Sequence, residues 1–376
     1  MNRKIVFYIT GRILTDVESM SRSLLFWRSF THFIGGMGVL VFVMAIIPSE
    51  SGRDIHIMRA EMPGPIVGKL VPKIRETAKI LYLIYIGLTA AMVIFLLAGR
   101  MPLFDSLVHA LGTAGTGGFG IKNDSVAYYS PYIQWVISIF MLLFGINFNL
   151  FYLIILGKLR SAFKSRELWC YLGIVIVATV MIGTNIWGTF SSFGETLRHS
   201  FFQVSSIMTT TGFSTTNFDI WPQFSKTILL LLMFIGGCAG STAGGLKVSR
   251  VMILIKTARR DLKKMLHPHS VGVVKHEGKV IDDLTVSNTS VYFIVYFLSF
   301  FVILALLSLG SIGFESAFSA VASCFNNIGP AYGSLYSGFA PLSDFSKLVL
   351  SIAMLLGRLE IFPILLTLSP RTWIKK

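Results

Sequence analysis

The sequence predicts an all-α integral membrane protein, built from repeated units of helix, pore loop and helix in a pseudo-fourfold arrangement with an incomplete first unit. Three observations predict it. Of the 376 residues, 53% are hydrophobic and only 14% charged, where a soluble domain carries about 25% charged residues. Seven segments approach the roughly 20 apolar residues that a spanning helix needs: 24–47, 79–99, 132–157, 168–190, 224–246, 289–309 and 343–369. Three of the connections between them repeat one pattern, a short apolar stretch followed by small and polar residues.

The charge excess is explained by topology. Lys and Arg number 33 against 18 Asp and Glu, a formal +15, but a nucleic-acid binder would not surround its charge with long apolar runs. Arg53, Arg59, Lys69, Lys73, Arg75 and Lys79 fill the first connection; Lys158, Arg160, Lys164 and Arg166 fill the third; nine more lie from Lys247 to Lys279; Arg371, Lys375 and Lys376 end the chain. By the positive-inside rule these face the cytoplasm. The C-terminus is then cytoplasmic and the N-terminus outside. Cys170, Cys238 and Cys324 are widely spaced in apolar stretches and form no CxxC pair, so redox chemistry and zinc are not indicated. The first residues show no signal peptide and no lipidation motif.

The outward connections hold FDSLVHALGTAGTGGFG, TLRHSFFQVSSIMTTTGFSTTNF and FESAFSAVASCFNNIGPAYG. Irregular backbone is tolerated at membrane depth only where it lines a watery cavity or is buried in protein, and a half-helix that dips and returns meets that demand. The alternative is a solvated loop with a surface amphipathic helix, and repetition argues against it. Gly118, Gly212 and Gly329 align, and a mid-helix glycine follows each: Gly145 after 27 residues, Gly237 after 25 and Gly357 after 28. Gly35 and Gly36 lie 24 and 25 residues after Gly11. The expected organisation is 1–47 as the remnant of a first repeat, 79–157 as the second and 168–257 as the third, with a broken helix. Residues 258–288 form a basic cytoplasmic connection and 289–376 the fourth repeat.

A cation crossing a bilayer needs oxygen ligands in place of water, and backbone carbonyls supply them without fixed charge. Glycine permits the left-handed backbone that such loops require. Thr113, Thr116, Thr209, Thr210 and Thr211 offer hydroxyls to ligate or brace, and Asn326 and Asn327 offer amides; ordinary turn chemistry is the other reading. In the fifth segment GGCAGSTAGG is too glycine-rich for a straight helix, since each interior glycine costs roughly 1 kcal/mol against alanine. A GxxxG packing face is the alternative there. A phosphate loop is not, because GxxxxGK[ST] is not met.

The loops TAGTGGFG, MTTTGFSTTNFDIWP and NNIGPAYG, the helix LLFWRSFTHFIGGMGVLVFVMAIIP, the stretch GGCAGSTAGGLKVSR and the ending LLGRLEIFPIL resemble the membrane subunits of the Trk, Ktr and HKT superfamily of potassium transporters, nearest its bacterial TrkH/TrkG branch. The resemblance implies potassium as substrate, with no cofactor in this chain. It implies a homodimer in the lipid bilayer and a cytoplasmic nucleotide-binding partner of the TrkA/KtrA type. The implied filter is Ala114, Gly115, Thr116, Gly117 and Gly118; Met208, Thr209, Thr210, Thr211 and Gly212; and Phe325, Asn326, Asn327, Ile328 and Gly329. Thr10 and Gly11 stand where a degenerate first quarter would fall, beside a cationic Arg12. The implied gate is Gly236, Gly237, Gly240, Ser241, Thr242, Gly244 and Gly245, beneath the filter.

Arg358 and Glu360 lie midway through the last segment, where a charge needs a partner or water. Arg358 is expected to face the cavity and reach the gate carbonyls, with a packing or snorkelling arginine as the alternative. Arg28 and His32, four apart on one helix face, read as structural anchors. Trp27, Trp135, Trp221 and Trp373 suit an interfacial belt. Three rivals remain to potassium transport: a sodium-permeable channel, a nonconducting or truncated subunit, and a membrane enzyme, for which no convergent catalytic set appears.

Overall fold

The computed structural model describes residues 16–38, 74–270 and 272–359, with 361, 362 and 364. Thr10, Gly11, Arg12, the basic residues 53–73, Glu360, Trp373 and the basic C-terminal residues lie outside the described residues.

Helix α1 (Arg22–Gly36) is capped by Ser21, whose hydroxyl accepts from the Leu24 amide, and stops at Met37. Three units follow. The first comprises α2 (Ile74–Ala98), the short α3 (Leu103–Ala114), α4 (Pro131–Phe144) and α5 (Phe148–Ile155). After the small α6 (Leu159–Ala162), the second comprises α7 (Arg166–Asn185), α8 (Phe193–Met208), α9 (Gln223–Ile235) and α10 (Val248–Leu266). A two-stranded hairpin, β1 (Lys275–His276) with β2 (Lys279–Val280), leads to the third: α11 (Asp283–Leu307), α12 (Phe314–Phe325) and α13 (Asp344–Arg358). Helix α10 crosses residue 257 without interruption.

In each unit the outer helix is continuous. Glu76–Ala98, Arg166–Asn185 and Asp283–Leu307 are long and apolar enough to cross a bilayer. Their Leu83, Ile94, Ile176, Ile294 and Leu298 stand exposed, a girdle that water would not tolerate and lipid does. The inner helices are both broken, against expectation over 132–157 and as expected over 224–246. Helix α4 ends at Gly145, and Asn147 caps α5 by accepting from the Asn149 amide at 2.9 Å. The chain bends there by 93°. Helix α9 ends at Gly236, φ +75°, and helical backbone resumes only at Val248, as the glycine density predicts.

The short helices α3, α8 and α12 form the centre. Helix α3 is held by α1, α2 and α4, α8 by α4, α7 and α9, and α12 by α11 and α13. Their inward faces are small and polar: Ser106 and Thr113, Ser205 and Ser206, Ser319 and Ser323 are all buried. Aromatic clusters surround them, with Tyr85 stacked on Phe33 at 4.6 Å and edge-on to Phe144 and Phe148, and Phe300 edge-on to Phe318 at 5.1 Å. One belt assignment fails: Trp221 is buried between Phe218 and the third unit rather than interfacial. Trp27, Trp169 and Trp187 are exposed near helix ends.

Candidate functional site

The loops after α3, α8 and α12 share one backbone despite different side chains. Each helix closes with the amide of Gly115, Thr209 or Asn326 on the carbonyl of Leu111, Ser205 or Ala322. The next residue is left-handed, with φ +51° at Thr116, +55° at Thr210 and +58° at Asn327. The one after donates five residues back, Gly117 to Gly112 at 2.8 Å, Thr211 to Ser206 at 2.9 Å and Ile328 to Ser323 at 2.8 Å. That is a Schellman cap. The fourth residue is a left-handed glycine, with φ +65° at Gly118, +88° at Gly212 and +114° at Gly329. The structure thus places 114–118, 208–212 and 325–329 in equivalent positions, in the register that the glycine spacing gives.

The loops also touch in sequence. A Cβ on Gly118 would overlap the Thr211 carbonyl, and a Cβ on Gly212 would overlap the Ile328 carbonyl. Three helix C-termini, the negative ends of their dipoles, converge on this ring of backbone, an arrangement that favours a cation. Outside it lies a cavity of about 560 Å³ lined by Gly118, Gly212, Gly329, Arg28 and Lys122, with Lys122 ion-paired to Glu18 at 3.2 Å.

Side chains brace the loops. Ser206 Oγ donates to the Phe213 carbonyl at 2.6 Å, and the Gly329 amide donates to Ser323 Oγ at 2.9 Å; the equivalent position in the first loop is Gly112. Thr209 and Thr211 hydroxyls pair at 2.8 Å. Asn326 accepts from Tyr296 Oη at 2.7 Å, and Asn327 donates to the Met354 carbonyl at 3.3 Å. Arg28 and His32 serve as anchors, as their spacing suggests. The Arg28 guanidinium bonds the Gly120 carbonyl and lies 5.0 Å from the Phe119 ring centroid, on which His32 stacks.

Under the ring runs the broken segment between α9 and α10. Thr116 Oγ1 donates to the Thr242 carbonyl at 3.0 Å, and Thr210 Oγ1 accepts from the Gly244 amide at 2.6 Å. A Cβ on Gly244 would meet the Asn326 carbonyl at 2.6 Å. The other face of the segment fills the bend between α4 and α5. Cys238 and Thr242 amides donate to the Gly145 and Phe144 carbonyls at 2.9 and 3.4 Å, and the Phe148 amide donates to the Gly240 carbonyl at 3.0 Å. Two broken helices thereby satisfy each other's exposed backbone, which apolar surroundings require. Arg358 donates to the Thr242 carbonyl at 3.4 Å and to the carbonyls of Gly35 and Gly36, so it does reach the segment.

Sequence reasoning missed three residues here. Asn147 sets the bend, and its amide lies 3.1 Å from where a Gly240 Cβ would stand. Lys247, buried and left-handed at φ +75°, donates Nζ to the Ala243 carbonyl. Glu167, also buried, accepts from the Ala239 amide at 2.7 Å. A carboxylate opening an apolar helix was the available signal for Glu167; nothing marked Asn147 or Lys247. No group of His, Cys, Asp and Glu able to hold a metal occurs among the described residues.

Comparison with known proteins agrees with this architecture. A family model described as TrkH, cation transport protein, matches residues 8–374. The Trk system potassium uptake protein TrkH of Salmonella typhimurium is 37% identical over 366 residues, covering 96% of this chain and 76% of the relative. TrkG of Escherichia coli is 35% identical over 368 residues, covering 96% and 75%. The crystal structure of the potassium transporter TrkH from Vibrio parahaemolyticus superposes with a TM-score of 0.85 at 32% identity, over 98% of this chain and 77% of that one. With a matching family model, sequence and fold, this chain belongs to the TrkH family of cation transport proteins.

Proposed function

We propose that this chain carries potassium ions across the membrane along the axis ringed by residues 114–118, 208–212 and 325–329, and that the segment 236–247 is its gate, closed in this conformation. One observation carries the reading. Three loops of unlike sequence hold one left-handed backbone and rest directly on a glycine-rich segment. Carbonyls held by helix caps can replace an ion's water without fixed charge. Potassium as the cargo follows from the relatives, which are named as potassium uptake proteins. The membrane potential supplies about 2.3 kcal/mol per elementary charge per 100 mV, enough to drive uptake without a pump.

The same reading puts the basic surface of α10, with Arg259, Arg260, Lys263 and Lys264, at the cytoplasmic face. There it would meet a nucleotide-binding regulatory subunit of the TrkA/KtrA type; the nucleotide belongs to that partner. The assembly is a homodimer in a bacterial inner membrane with its C-terminus in the cytoplasm.

The test is flux in proteoliposomes, with potassium or sodium as the only permeant cation. Potassium flux well above sodium flux is the expected result. Equal fluxes would turn the reading to a weakly selective channel, and no flux from folded protein would turn it to a nonconducting subunit.

A further inference from the structure

The gate reading gives Glu167 and Glu277 a role that nothing above assigns. Glu167 opens α7 and is 5% exposed. Its Oε1 accepts from the Ala239 amide at 2.7 Å. The carboxylate therefore ties the first turn of α7 to the broken segment. Such a staple holds only as well as its own helix end is held, and Glu277 does that. The Glu277 carboxylate accepts from the amides of Glu167 at 2.9 Å and Arg166 at 3.3 Å, and from Ser165 Oγ at 3.3 Å. Exposed amides and the positive end of the helix dipole both favour an anion there.

Glu277 arrives from the hairpin between α10 and α11. Glu277 and Gly278 both have positive φ, +49° and +79°, the geometry of a type I′ turn, whose first position prefers Asn, Asp or Gly. A glutamate accepts strain at that position, and the longer side chain reaches the helix end 110 residues back along the chain. The hairpin is seated on α10, the helix that leaves the segment. Val274 and Ile281 cluster with Ile253, and Lys256 Nζ donates to the Lys275 carbonyl at 2.9 Å. It thus holds the segment at its exit through α10 and at Ala239 through Glu167.

We propose that Glu277 is a positioning residue for the gate: the hairpin latches the first turn of α7, the Glu167 carboxylate then holds the broken segment under the loops, and displacing the hairpin releases it. This rests on the gate reading, but its test does not require conduction, because Cys238 lies in the segment and is fully buried. N-ethylmaleimide labelling of the full chain in inverted membrane vesicles, quantified at each cysteine by mass spectrometry, reads the latch. Cys324, 1% exposed in α12, reports general loosening.

Glu277→Ala is expected to speed Cys238 labelling about tenfold, equivalent to about 1.4 kcal/mol, with Cys324 unchanged. Glu277→Gln, which keeps an acceptor oxygen, should speed it less. Because both residues act in one chain of contacts, adding Glu167→Gln to Glu277→Ala should add nothing further. An unchanged Cys238 rate in Glu277→Ala, additive effects, or a parallel rise at Cys324 would each overturn the latch. Flux separates the two readings. If Arg358→Gln raises potassium flux while Glu277→Ala leaves Cys238 protected, the latch fails and the gate stands. If Cys238 is unmasked in Glu277→Ala but flux is unchanged in both variants, the segment is not the gate and the latch stands.

Discussion

The three loops and the segment 236–247 both abandon helical backbone inside the membrane, but they are held in different ways. Each loop is the last turn of a helix, closed by a Schellman cap from its own backbone. Its conformation is local, so TGG, TTG and NIG sequences give the same trace. The segment has no such cap, only scattered bonds of its own such as the Ser241 amide to the Cys238 carbonyl at 3.3 Å and Lys247 Nζ to the Ala243 carbonyl. It is held at the Phe144 and Gly145 carbonyls, at Thr116 and Thr210, at Glu167 and at Arg358, all contributed by other elements. Local closure suits a structure that must not change when an ion passes, whereas remote, polar attachment suits one that must let go.

The sharpest break in that comparison comes from glycine. At Gly212, φ is +88° and a Cβ would overlap the Ile328 carbonyl of the next loop. Gly212→Ala therefore forces backbone apart as well as adding left-handed strain of roughly 1–2 kcal/mol. Potassium flux should fall at least about a hundredfold, equivalent to about 2.7 kcal/mol, with reduced thermal stability in detergent. At Gly240, φ is +70° but a Cβ would meet only the Asn147 side-chain amide at 3.1 Å. Gly240→Ala should keep most of the stability and shift flux severalfold at most. Equal damage at the two sites would mean that the segment is as rigidly built as the loops.

Next in size are the contacts between the two regions. A charged donor to carbonyls is worth about 1.5–3 kcal/mol, so Arg358→Gln should raise basal flux about tenfold by untying Thr242 from the carbonyls of Gly35 and Gly36. Thr210→Gly separates the two kinds of attachment. A β-branched residue at φ +55° is strained, and glycine is the preferred residue at that cap position. The loop should be no less stable, yet the hydroxyl that accepts from the Gly244 amide at 2.6 Å is gone. The expected result is unchanged or higher thermal stability with severalfold higher flux. Lower stability with unchanged flux would show that the hydroxyl serves the loop and not the gate.

The comparison also explains what could be read without a structure. Locally determined features were legible: the register of Gly118, Gly212 and Gly329, the break at Gly236 and the anchoring pair Arg28 and His32. Features fixed by distant partners were not. The 132–157 run looks continuous because one Gly145 is a weak breaker; its 93° bend depends on Asn147 and on carbonyls that the broken segment then uses. Burial of Trp221, the staple at Glu167 and the latch at Glu277 depend on contacts across 72 to 112 residues of chain for the two glutamates, and no local pattern announces these. Arg358 was legible by cost alone, since a charge at that depth needs partners.

The smallest expected effect tests whether remote attachment extends to the hairpin. His276 is 5% exposed, and its Nδ1 is buried without a hydrogen-bond partner. Burial lowers its pKa below the ordinary 6.5, Lys256 lowers it further, and Glu277 opposes the shift. The folded hairpin therefore prefers the neutral ring. Its contribution is fully present above about 6.5 and declines as pH falls below that value toward the lower folded pKa, because only the open hairpin takes the proton readily. One proton limits the slope to about tenfold per pH unit, and partial opening should give less. Acidifying the cytoplasmic face from about pH 7.5 to 5.5, a window that brackets the ordinary histidine value, should raise Cys238 labelling a few-fold relative to Cys324, since loss of thiolate slows both alike. His276→Phe keeps the apolar packing, removes the titration and should flatten the profile. A rise that survives His276→Phe would assign the acid response to another group and leave the hairpin's hold on the segment independent of pH.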